Sequence, residues 1–68
     1  MSIPEEIIKC GLPNLVEDQR VNLLKHLQSL GIETKEDFLW LKEEDLSSHL
    51  KLIQARRFIE WCKNGSYY

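Results

Sequence analysis

The chain has no surplus of basic residues, no long apolar run and few cysteines, and each shortage closes off a class of protein. Nine lysines and arginines stand against eleven aspartates and glutamates, a net charge of −2 with a pI near 5.6. A general nucleic-acid binder needs cations to neutralise phosphates, so this balance argues against a nucleic-acid partner, the alternative being an RNA hairpin or DNA gripped through the basic last helix at Lys51, Arg56, Arg57 and Lys63. Apolar runs stop at a few residues, far short of the roughly 20 that span a bilayer, and no membrane partner is expected. The first six residues, Met1 to Glu6, are acidic and lack the basic-then-apolar order of a secretion signal, so the expected location is intracellular, in cytoplasm or nucleus. Cys10 and Cys62 form no C-x-x-C pair and have no histidine at zinc spacing. Each is expected to be a small buried hydrophobe; a disulfide between the two terminal segments stays open but is disfavoured in a reducing compartment.

Catalytic signatures are missing too. His26 and His49 are isolated in sequence, with no cysteine or aspartate at a spacing that suggests a site. A phosphate loop and a dinucleotide fingerprint are absent. The expectation is a non-enzyme with no cofactor, metal or small-molecule substrate.

What is present is the composition of a folded domain: 43% hydrophobic and 29% charged residues in 68 positions. A chain this short buries only about 60% of its unfolded surface, so its stability margin is thin. Residues 1–65 read as one domain and 66–68 as a disordered tail. Punctuation falls at Gly11-Leu12-Pro13-Asn14, at Gly31 and at Asn64-Gly65-Ser66. Ser2 with Glu5 matches a capping box, Pro4 sits in a tolerant first turn, and Gly11 supplies a stop. Asn14 with Glu17 predicts the next helix start. Val16, Leu23, Leu24, Leu27 and Leu30 then share one face up to Gly31. Thr34 with Asp37 opens a short helix containing Phe38, Leu39, Trp40 and Leu41, with Trp40 expected in or beside the core. Lys42 to Leu46 starts a fourth short helix ending near His49. The last helix is long, from about Leu52 to Lys63, burying Leu52, Ala55, Phe58, Ile59 and Cys62. No segment alternates as a half-buried strand does. The expected fold is all-α, a compact bundle of about five helices.

The segment Leu30-Gly31-Ile32 followed by Thr34 to Leu46 resembles the middle of a sterile alpha motif (SAM) domain. In that family a leucine-glycine-isoleucine helix end leads into t-x-x-D-L-x-x-L-x-x-x-D-L. Leu50 to Trp61 is similar to the start of the family's long final helix. The likeness covers about Val21 to Lys63, while the early V-x-x-W-L pattern and the glycine opening the last helix are absent. The resemblance implies a five-helix SAM-like fold and a non-catalytic protein-interaction module, pairing with itself or with another SAM-like domain.

Charge is segregated along the chain. Glu33 to Asp45 holds six acids and two lysines; Lys51 to Lys63 holds four bases and one acid. Two such patches on one small domain are complementary between copies, and a head-to-tail contact of this kind can propagate. On the resemblance, Glu36, Asp37, Glu43, Glu44 and Asp45 form the acidic side and Lys51, Arg56 and Arg57 the basic side. The plainer alternative is a solvated face on which Arg56 pairs with Glu60 four residues on. At 100° per residue, Ile53, Arg57 and Trp61 fall away from the buried face of the last helix, a possible apolar anchor for a partner. Otherwise Trp61 packs on the first helix.

Overall fold

The computed structural model describes residues 3–64, so the Ser2–Glu5 cap and the 66–68 tail lie outside the described residues. Four α-helices and one 3₁₀ helix make up the fold among them: α1 (Ile3–Gly11), α2 (Glu17–Ser29), the 3₁₀ segment η1 (Glu36–Trp40), α3 (Glu43–Leu46) and α4 (Leu52–Lys63). No described residue lies in a strand, and no described helix is long and apolar enough to cross a membrane. The Cα radius of gyration is 10.5 Å, against roughly 11 Å expected for a compact chain of this length.

One core serves every element. α4 is its hub, packing against α1, η1 and α3, while α2 packs on α1. Ile7, Ile8, Leu23, Leu27, Phe38, Leu41, Leu46, Ala55, Phe58, Ile59 and Cys62 are all buried in it. Phe38 meets Phe58 edge to face, ring centroids 6.1 Å apart and planes at 81°, the arrangement the ring quadrupoles favour.

Three starts in the second half use one device: a side chain accepts from the backbone N–H three residues before it, at the mouth of the element. Asp37 Oδ2 accepts from Glu33 and Thr34 N–H at 2.9 and 3.0 Å, and Thr34 Oγ1 accepts from Asp37 N–H at 3.3 Å. Asp45 Oδ2 accepts from Lys42 N–H at 3.0 Å, and Gln54 Oε1 from Lys51 N–H at 3.3 Å. These bonds satisfy donors that a helix start leaves orphaned.

Several local expectations need correction. Asn14 does not cap α2: the Leu15 N–H to Leu12 carbonyl turn (3.4 Å) leaves Asn14 exposed, and Val16, with no side-chain cap bond, precedes the helix. Val16 and Leu30 are the residues that cap α2 at its two ends and are exposed; Leu23 and Leu27, with Leu24 half-buried, carry its apolar face. Leu52, at the mouth of α4, is likewise exposed. Gly31 does end α2 as expected, at φ 90°, a backbone angle that side chains disfavour. Gly11 has no positive φ and stands at the last position of α1 for another reason, given below.

The largest correction concerns Trp40, expected in or beside the core and in fact 81% exposed. A 3₁₀ helix has three residues per turn, so Phe38 and Leu41 stack on one face. Both are buried, and Leu39 and Trp40 are turned outward.

Candidate interaction surfaces

The acidic residues singled out from the sequence have different environments. Asp37 and Asp45 accept the backbone bonds described above, and the two N–H groups on Asp37 hold its carboxyl below the ordinary 3.8. Glu43 reaches across to α4, where Arg56 Nε donates to its Oε1 at 3.0 Å. The expected Arg56–Glu60 pair is replaced by this one. Glu36 and Glu44 are exposed. Leu39 and Trp40 are exposed in the same acid-rich stretch of chain, Glu33 to Asp45, which also carries Lys35 and Lys42.

The basic residues divide along α4. Arg56 faces α3 through Glu43, whereas Arg57, about 100° further round the helix, borders both the hollow it shares with Glu43, Arg56 and Glu60 and a groove towards the α1–α2 turn. That groove, of about 500 Å³, lies between the α1–α2 turn and α4. Leu12, Pro13, Ile53, Phe58 and Trp61 supply its apolar walls, and Lys51 and Arg57 its two cations. No acid lines it. The structure therefore brings together the Ile53, Arg57 and Trp61 trio and adds the turn before α2.

Trp61 is half-buried rather than free on the surface. Its ring stacks on Phe58 with centroids 6.0 Å apart and planes at 17°. Gly11 makes room for both rings: a β-carbon there would lie 2.7 Å from Phe58 Cε1 and 2.8 Å from Trp61 Cε3. Trp61 thus packs over the end of the first helix while still bounding the groove.

The histidines, isolated in sequence, meet in space. His26 Nε2–H donates to the Asp45 carbonyl at 2.7 Å, and its ring lies 4.5 Å from that of His49, tilted by 39°. The pair fastens α2 to the end of α3, and no spacing rule within one helix could have revealed it. Among the described residues no group of three or more histidines, cysteines or acids is arranged to hold a metal ion. Cys10 is exposed and Cys62 buried, both as free thiols, so burial was rightly expected for one of them only. Burial pushes the Cys62 thiol up to about 12.

These features define a small all-helical bundle with two chemically distinct outer surfaces. Comparison with protein-family models, with characterised proteins and with solved structures finds no match to the chain.

Proposed function

We propose that the chain is a non-catalytic protein-interaction module that self-associates, or pairs with a similar SAM-like domain, through opposed acidic and basic surfaces. The observation that carries this reading is the company kept by its exposed large apolar side chains. Leu39 and Trp40 are exposed within the acid-rich stretch Glu33 to Asp45, and Ile53 shares a groove with Lys51 and Arg57, with exposed Leu52 next to it in the chain. Apolar bulk ringed by charge is the composition of a binding hot spot, where the ring sets orientation and the centre supplies affinity. The resemblance of Leu30 to Leu46 and of Leu50 to Trp61 to SAM domains points the same way.

The pairing is sensitive to ionic strength, because exposed charges are screened beyond about 10 Å at 0.1 M salt. Light scattering coupled to gel filtration, run over a range of concentrations and salt, tests it. The expected result is a mass that climbs with concentration and falls with salt. A mass fixed at the chain's 8.1 kDa under every condition overturns self-association.

A further inference from the structure

We propose that the groove between the α1–α2 turn and α4 receives the Trp40 indole of a second copy of this chain. The inference deepens the self-association reading above and rests on it. Three observations meet here. Among the described residues Trp40 is the most exposed of the large apolar side chains, at 81%. It projects from a segment, Glu33 to Asp45, that holds six acids and two lysines. The groove has the opposite character, with Lys51 and Arg57 at its rim, no acid in its lining, and walls of Leu12, Ile53 and Trp61.

Size and chemistry agree. A groove of about 500 Å³ falls within the roughly 300–1,000 Å³ of sites that take a small organic group, and an indole is smaller than most such groups. Arg57 and Lys51 suit the face of an indole as cations, and suit Glu36 or Glu44 beside it as counter-charges. Neither basic residue has an ion pair among the described residues.

The chain does not fill its own groove. No residue of η1 or α3 lines it. Both of those elements pack on α4, and the Glu43–Arg56 bond marks the flank they occupy. The groove opens on the flank that faces the α1–α2 turn. Knob and groove are therefore separate patches, so the contact is heterologous and one copy can engage two neighbours.

The test uses two variants that each spoil one side, Trp40→Ala and Arg57→Glu, with Lys51→Glu as a second groove variant. All three positions are exposed, and far-ultraviolet circular dichroism reports the fold. The mass of each variant is measured alone and in equimolar mixture with its complement. Each alone is expected to associate about 30-fold more weakly than the parent chain, the size of a hot-spot loss. Trp40→Ala mixed with Arg57→Glu is expected to form one-to-one dimers and nothing larger, since each retains the surface the other lacks. A parent chain that associates while both variants associate equally well overturns the groove assignment and leaves self-association standing. So does a mixture that stays monomeric. A parent chain that is monomeric throughout overturns both.

Discussion

Replacing Gly11 by alanine sets two effects of known sign against each other. Gly11 is the last residue of α1 and has no positive φ, so alanine meets no backbone strain there. Alanine is the better helix former, by at most about 1 kcal/mol and by less at a helix end. Against this, the added methyl would lie 2.7 and 2.8 Å from two atoms of the Phe58 ring and 2.8 Å from the Trp61 ring. Carbon atoms settle at about 3.5–4.0 Å, so the shortfall approaches 1 Å at three places. Phe58 is 1% exposed and braced by Phe38, so it has little room to retreat; Trp61 is half-buried and can yield in part. Overpacking of this kind costs about 1–3 kcal/mol. The net expectation is a loss of about 1–2 kcal/mol, or a fall of about 5–15 °C in Tm for a domain of this size. Thermal unfolding followed by circular dichroism at 222 nm measures it. An unchanged or raised Tm would show that the rings reorganise freely and that the close approach at Gly11 is not a constraint. Pairing Gly11→Ala with Trp61→Leu should recover part of the loss, because one of the two obstructing rings is gone.

Other expectations follow from single contacts. Asp37 is held below its ordinary 3.8 by the Glu33 and Thr34 N–H groups, so its contribution to stability is complete above that value and fades as pH falls through the lower folded value. Asp37→Asn should therefore flatten the acid limb of a stability-against-pH curve obtained by urea denaturation, and an unaltered limb would refute the assignment. His26→Ala removes the bond to the Asp45 carbonyl and the contact with His49. It should cost about 1–2 kcal/mol in urea denaturation, and a loss near zero would mean that α2 and α3 are fastened elsewhere. At about pH 8 a disulfide reagent should modify Cys10 quickly and Cys62 only as the chain opens. A thiol at about 12 holds on the order of a thousandfold less thiolate than an ordinary cysteine. Two equally fast thiols in the folded protein would contradict this.

Much of the architecture was legible because it is local. The Thr34–Asp37 pairing, the stop at Gly31 and the span Leu52–Lys63 rest on spacing within a few residues, and all are present as expected. What escaped was decided by contacts between distant segments or by the pitch of a helix. Trp40, flanked by Phe38 and Leu41, looked like core or half-core; the tighter 3₁₀ turn buries Phe38 and Leu41 and expels Leu39 and Trp40. Gly11 and Gly31 looked alike as helix stops, yet one serves a backbone angle and the other the closeness of two aromatic rings. Of the candidate surface, the Ile53, Arg57 and Trp61 trio was legible from helical angles alone. The Glu43–Arg56 bond and the use of Asp37 and Asp45 as caps were not, because charge counting does not say which acids are already engaged.

The unlike settings of the two tryptophans make the chain its own spectroscopic instrument. Trp61, stacked on Phe58 and half-shielded, should emit at shorter wavelength and respond chiefly to unfolding. Trp40, out in water, should emit at longer wavelength and be open to a soluble quencher such as acrylamide. Unfolding is thus read chiefly from Trp61, and contact with a partner from Trp40 together with whatever change Trp61 undergoes as a wall of the filled groove, in one cuvette without a label. Loss of quenching in the long-wavelength component would mark the moment at which Trp40 leaves solvent.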